Sequence, residues 1–277
     1  MSYQPAAKDL YEPQFREPQD RLDAYADFVA IVRQLRRDCP WDREQTHESV
    51  KHLLIEEAYE TVEAIDDGDT DELKKELGDV LLHVVFHSVI AEQNGTFTLQ
   101  DVIEAETEKL VRRHPHVFGD VRVEGTDEVL QNWEQIKMQE GKTSVLQGVP
   151  RHLPALLRAY RVQQKAAGVG FDFPEAAGAW EKVEEEIGEF EHLATSGASG
   201  DEKEAEFGDL LFALVNYARF AGINPENALR RTNAKFVARF QHIEQRLAES
   251  EQTFADVDLA AMDRLWEEAK AMEKEAP

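Results

Sequence analysis

The sequence predicts an all-α protein: a helical-bundle domain in tandem duplication. Three observations carry the fold prediction. Strand signals are scarce. Apolar residues recur at the three-and-four spacing of helices over long stretches. Five sequence blocks of the first half recur, in the same order, in the second half.

Residues 1–20, including "LYEPQFREPQD", are polar and broken by proline, and read as an N-terminal tail. Residues 21–140 read as the first domain, with helices at about Arg21–Arg37, His47–Asp66, Asp71–Gln93, Thr98–Arg113 and Thr126–Glu140. Gly68 and Gly95 stand where helices should stop, and Thr98 with Asp101 has the pattern of a reciprocal cap. Residues 141–153 read as a linker. Residues 154–277 read as the second domain, with helices at about Pro154–Ala166, Pro174–Ala194, Asp201–Ala221, Pro225–Glu249 and Val257–Lys274. Asn224-Pro225 is an N-cap followed by proline at the first helical position.

The repeat is visible block by block. "CPWD" (Cys39–Asp42) returns as "VGFD" (Val169–Asp172), and "IEEAYE" (Ile55–Glu60) as "EEEIGE" (Glu184–Glu189). "KELGDVLLHVV" (Lys75–Val85) returns as "AEFGDLLFALV" (Ala205–Val215). "KLVRR" (Lys109–Arg113) and "WEQIK" (Trp133–Lys137) return as "KFVAR" (Lys235–Arg239) and "WEEAK" (Trp266–Lys270). Glu57 and Glu186 are 129 positions apart (186 − 57), Asp79 and Asp209 130 (209 − 79).

Composition narrows the function. A formal charge of −25 repels nucleic-acid polymers and anionic lipid, and leaves room for a small anionic substrate bridged by divalent cations. A single cysteine, Cys39, excludes an internal disulfide and suits a reducing cytoplasm. The N-terminus lacks the basic-then-apolar pattern of a leader, and "VLLHVVFHSVIA" is too short to span a bilayer.

The candidate chemistry lies in carboxylates. In each half one helix carries Glu-Glu-x-x-Glu and the next Glu-x-x-Asp: Glu56, Glu57, Glu60, Glu76 and Asp79, then Glu185, Glu186, Glu189, Glu206 and Asp209. Residues three and four apart share a helix face. The sequence around Asp79 and Asp209 is apolar nearly all round, which predicts that both aspartates face inward. Buried carboxylates must be paired, protonated or metal-bound. An all-oxygen set suits Mg²⁺, with Mn²⁺ as a substitute, and magnesium shares its sphere with substrate phosphates. Lys235 with Arg239, and Trp266 with Lys270, are each one helical turn apart, suited to polyphosphate and to a base or ribose. His83 and His87 follow Asp79 at helical spacing. Ala213 and Tyr217 hold the matching places, so both histidines read as core or interface residues.

"CPWDREQTH", "LIEEAYE", "ELGDVLLHVVFH", "RRHPHVFGD", "WEQIK" and "VGFDF" together resemble the MazG-type nucleoside triphosphate pyrophosphohydrolases in their two-domain bacterial form, from about Arg21 to Lys274. The resemblance implies a cytoplasmic homodimer that hydrolyses nucleoside triphosphates to monophosphate and pyrophosphate with magnesium. It implies that Glu185, Glu186, Glu189, Glu206 and Asp209 hold metal in the main catalytic domain. Lys182, Lys235, Arg239, Trp266 and Lys270 would contact nucleotide, with Glu206 and Asp209 beside it. Glu185 or Glu186 would accept the water proton, and Lys235 and Arg239 would stabilise the leaving pyrophosphate. Glu56, Glu57, Glu60, Glu76 and Asp79 would form a weaker site, because Leu53 stands where the second half has Lys182.

Two rivals remain at this stage. A di-iron bundle needs two Glu-x-x-His pairs, whereas Glu189 and His192 form one and the Glu206–Asp209 motif none. A non-catalytic helical module that binds metal, nucleotide or protein would leave the inward aspartates unexplained.

Overall fold

The computed structural model describes residues 18–126, 128–129, 132–133, 136 and 144–275. The expected helix at Thr126–Glu140 lies largely outside the described residues, as do most of the expected tail and the start of the expected linker. The chain divides into two compact units, residues 1–133 and 134–277. Every regular element among the described residues is helical, and no helix there is long and apolar enough to cross a membrane.

The first unit contains α1 (Gln19–Asp38), α2 (Pro40–Glu44), α3 (His47–Asp67), α4 (Thr70–Gln93), α5 (Leu99–Arg113) and α6 (Pro115–Phe118). Local chemistry sets the boundaries. The Thr46 side chain accepts from the Ser49 amide, and the Ser49 hydroxyl accepts in return from the Thr46 amide. Gly68 closes α3 in the left-handed region at φ 68°, which any side chain would strain, and Asp69 caps α4 one residue later. So short a connection folds α3 and α4 into a helical hairpin. The expected reciprocal cap of Thr98 and Asp101 is present at the start of α5.

The core of this unit is formed by Val29 and Val32 of α1, Val50 of α3, Val85, Phe86, Val89 and Ile90 of α4, and Leu99 of α5. Burying a side chain such as Val85 contributes ~1.5–3 kcal/mol relative to leaving it in water. Arg36 ties the α1–α2 corner together from inside: its guanidinium donates to the Asp42 and Gln45 carbonyls and to the Gln93 side chain.

The second unit contains α7 (Ala155–Ala167), α8 (Ala176–Thr195), α9 (Gly200–Phe220), α10 (Pro225–Glu249) and α11 (Leu259–Glu275). Helices α8 and α9 form its hairpin; α7 packs on α9 and α10, and α10 on α11. Ser199 caps α9, and the Asn224-Pro225 start of α10 is as expected. Part of the expected linker belongs with this unit, because the buried Lys165 ammonium donates to the Val145 carbonyl.

Both hairpins leave an apolar stripe exposed. Leu77, Leu81 and Val84 of α4 face outward at i, i+4 and i+7, and so do Phe207, Leu211 and Leu214 of α9. The "VLLHVVFHSVIA" segment is therefore divided: Val85, Phe86, Val89 and Ile90 supply the core and the opposite face stays uncovered within the unit.

Candidate functional site

The carboxylates gather where the two helices of each hairpin meet. In the first unit Glu57 of α3 and Glu76 and Asp79 of α4 bring one oxygen each within 4.8 Å of one another. In the second the group is Glu186 and Glu189 of α8 with Glu206 of α9. Glu60 completes the first set, since its charge acts on both Glu57 and Glu76. Asp209 lines a cavity together with Glu186 and Lys182.

Burial differs from the sequence expectation. The inward residues are Glu76, 7 % exposed, and Glu186, 5 % exposed. Asp209 is exposed and Asp79 is not buried. Asp209 is open because it borders the cavity rather than the packed core.

The electrostatics are those of a site short of positive charge. Burial, with the charges of Glu60 and Glu72 beside it, pushes the Glu76 carboxyl up to about 7. Burial and the neighbouring Asp79 raise Glu57, and burial and Glu189 raise Glu206. Glu76 Oε2 and Glu206 Oε1 are buried without a hydrogen-bond partner. A buried carboxylate oxygen without a donor is costly. Such oxygens, arranged with other carboxylates and no nitrogen or sulfur, fit a hard divalent cation.

The cations near the two cages differ. In the second unit Lys182, one turn before Glu186, reaches Glu186 at 2.6 Å and Glu185 at 2.9 Å; these bonds raise its pKa. In the first unit the lysines that open α4 look elsewhere: Lys74 pairs with Asp71 and Lys75 with Glu72. The imidazole of His83 stands 3.9 Å from Glu57, although burial lowers its pKa. His83 is buried, as expected of a core histidine, and His87 stacks on His47 with ring centroids 5.1 Å apart. Glu185 is exposed and lies outside the cage group, and so does Glu56 of the first unit.

The other expected nucleotide contacts collect on α10 and α11. Arg239 donates to Glu273 at 2.9 and 2.7 Å, and its guanidinium lies 5.3 Å from the Trp266 ring. Lys270 pairs with Glu267 at 2.9 Å, and Lys235 is exposed. None of these four residues lines the cavity beside Glu186, whose volume is about 820 Å³. That cavity was missed in the sequence. Its walls include Phe171 and Phe173 from a loop and Phe212 from α9, and a loop has no periodicity to betray an inward face.

The raised Glu76 carboxyl makes the metal-free protein pH-sensitive. Its folded-state pKa, about 7, lies above its ordinary value of 4.5, so folding favours the protonated form. The stabilising contribution is complete below 4.5 and disappears as pH climbs towards about 7. In chelator, the thermal midpoint falls over this window; in Glu76→Gln the fall is shallower, and Mg²⁺ restores the wild-type midpoint at neutral pH. Parallel pH curves for the two proteins would refute the assignment.

Paired helices that present four carboxylates, with a lysine and a cavity alongside, define a helical protein of the class that handles hard cations together with phosphates. The comparisons make the class particular. The MazG nucleotide pyrophosphohydrolase domain family matches residues 45–118. The chain is 45 % identical over 251 residues to the nucleoside triphosphate pyrophosphohydrolase/pyrophosphatase MazG of Thermotoga maritima, covering 89 % of this chain and 95 % of that protein. It is 40 % identical over 259 residues to the nucleoside triphosphate pyrophosphohydrolase of Escherichia coli K12, covering 92 % and 98 %. It is 48 % identical over 270 residues to the uncharacterized protein YabN of Bacillus subtilis; there it spans 96 % of its own length and 55 % of the relative's. The chain belongs to the MazG nucleotide pyrophosphohydrolase family.

Proposed function

We propose that the chain hydrolyses nucleoside triphosphates between the α- and β-phosphates, releasing monophosphate and pyrophosphate, with magnesium as its cofactor and manganese as a substitute. The observation that carries this reading is the group of Glu186, Glu189 and Glu206, with Lys182 held against Glu186 and a nucleotide-sized cavity beside it that Asp209 lines. The names of the Thermotoga maritima and Escherichia coli relatives agree with it.

Glu186, Glu189, Glu206 and Asp209 would hold the ions in the main catalytic domain. Magnesium, when bound, would neutralise phosphate charge and acidify a water molecule. Lys182 moves from Glu185 and Glu186 onto the triphosphate. This exchange releases the exposed Glu185 to take the proton of the attacking water, so Glu185 is preferred to the buried Glu186 as general base. Arg239 leaves Glu273 for the departing pyrophosphate, aided by Lys235 and Lys270, and Trp266 backs the Arg239 guanidinium. In the first unit Glu57, Glu60, Glu76 and Asp79 would hold an ion, with Glu56 outside the group, and turnover there would be slow, because Leu53 supplies no cation.

The two units are tandem copies of one domain. Their exposed stripes, Leu77–Leu81–Val84 and Phe207–Leu211–Leu214, occupy the same register 130 positions apart (207 − 77), and we read them as surfaces covered in a homodimer. A cytoplasmic location follows from the substrate and from the single Cys39.

The test is a product-resolved assay with Mg²⁺ and a panel of triphosphates. Pyrophosphate and monophosphate in equal amounts are the expected products, and orthophosphate would refute the reading.

A further inference from the structure

Three histidines of the first unit have no part in the hydrolysis proposed above, and all three line one cavity of about 440 Å³. His47 opens α3; His83 and His87 lie on α4, four residues apart and therefore on one helix face. We propose that His83 and His87 bind a borderline divalent cation of the zinc class, with His47 as the residue that positions His87. The site is separate from the carboxylate cages and does not depend on the hydrolytic reading.

The spacing is one that holds zinc: two histidines at i and i+4 of a helix present their rings to the same ion. The ring centroids of His83 and His87 are 6.1 Å apart. Imidazole nitrogen suits zinc and its neighbours rather than magnesium, which prefers oxygen.

The atoms left without partners are those such an ion needs. His83 Nδ1 and His87 Nε2 are buried with no hydrogen-bond partner, and His83 is only 8 % exposed. A buried ring nitrogen left unpaired is costly. The opposite nitrogen of each ring, in contrast, is engaged. His87 Nδ1 lies 2.8 Å from His47 Nδ1, and the rings of this pair stack at 5.1 Å. His83 Nε2 faces the Glu57 carboxylate at 3.9 Å. With the ring protons on these engaged nitrogens, His87 donates to His47 and the Glu57 charge attracts the His83 proton. The lone pairs then fall on His83 Nδ1 and His87 Nε2. This is the arrangement of metal-binding histidines, whose second nitrogen is held by an outer partner that fixes the tautomer.

Charge is compatible as well. Burial lowers the pKa of both rings, and the neighbouring His47 and His83 lower His87 further, which favours the neutral form that coordinates metal. Lys51, which also lines the cavity, is paired with Glu48, so its ammonium is compensated.

The test uses the full chain in excess Mg²⁺, which occupies the carboxylate cages. Zn²⁺ titrated by calorimetry should bind at a single site per chain and raise the thermal midpoint. Co²⁺ in its place should give the visible absorption of a low-coordinate nitrogen site, not the faint spectrum of six oxygens. His47→Ala is expected to weaken Zn²⁺ by ~10–100-fold, the usual cost of losing an outer partner. His47→Asn, which keeps an acceptor for the His87 proton, should retain most of the affinity. His87→Ala should lose at least as much as His47→Ala and abolish the Co²⁺ band, while His152→Ala should match the wild type. His47 is exposed, so His47→Ala keeps the test decisive if His87→Ala does not fold. The proposal is overturned if excess Mg²⁺ displaces the zinc, if His47→Ala binds as tightly as wild type, or if Co²⁺ shows only the six-oxygen spectrum.

Discussion

Glu189→Gln lowers kcat/KM for a nucleoside triphosphate by about 10²–10³-fold, the scale of removing one preorganised electrostatic group from a transition state, and the matching Glu60→Gln leaves turnover nearly unchanged. The contrast follows from the two cages. Both gather carboxylates between paired helices, but among the described residues only the second has a lysine in contact, Lys182 at 2.6 Å from Glu186. Glu189 is the better probe than Glu186, because it is exposed and its amide can be solvated. A Gln at the buried Glu186 would also disturb the Lys182 pair. Steady-state kinetics on both variants, with circular dichroism as the folding control, decide the matter. Equal losses in the two would mean that both units turn over; a loss confined to Glu60→Gln would reverse the assignment.

Local chemistry is what the sequence makes legible. The α3–α4 turn could be placed because Gly68 and Asp69 adjoin, a left-handed stop followed at once by a cap. The Thr98–Asp101 and Asn224-Pro225 starts were likewise signalled by residues within one turn of the event. The carboxylate sets were legible because each lies at i, i+3 or i+4 on one helix. The five-residue α2 was not foreseen, being too short for any periodicity.

Tertiary facts were harder to read. The sequence around Asp79 is apolar on all sides, which predicted burial, yet only one face of α4 enters the core. The other carries Leu77, Leu81 and Val84 into solvent. A helix apolar all round cannot announce which of its two faces meets its own unit. Glu76 was no more conspicuous than Asp79, and it is the residue with the orphan oxygen and the raised pKa. The same limit hid the Phe171–Phe173 wall, which depends on a loop folding back over α9.

Lys182→Met separates the two roles we assign to this lysine and has opposite effects on metal and nucleotide. Without substrate the ammonium is the counter-ion of Glu185 and Glu186. Breaking a fully buried pair of this kind costs ~3–5 kcal/mol. The Lys182 side chain is 39 % exposed, so screening reduces the loss of metal-free stability to about 1 kcal/mol. The same substitution removes a cation that competes with metal for Glu186, so Mg²⁺ binds more tightly and returns the thermal midpoint to the wild-type value. The triphosphate, in contrast, loses a charged donor worth ~1.5–3 kcal/mol, so kcat/KM falls by about 10–100-fold. Calorimetry with Mg²⁺ alone, melting with and without Mg²⁺, and steady-state kinetics read the three effects on one protein. Weaker Mg²⁺ binding in Lys182→Met would show that the lysine organises the cage rather than occupying it. The reciprocal change, Leu53→Lys, puts an ammonium one turn before Glu57, and any gain in first-unit turnover then measures how much of the difference between the units that one cation carries.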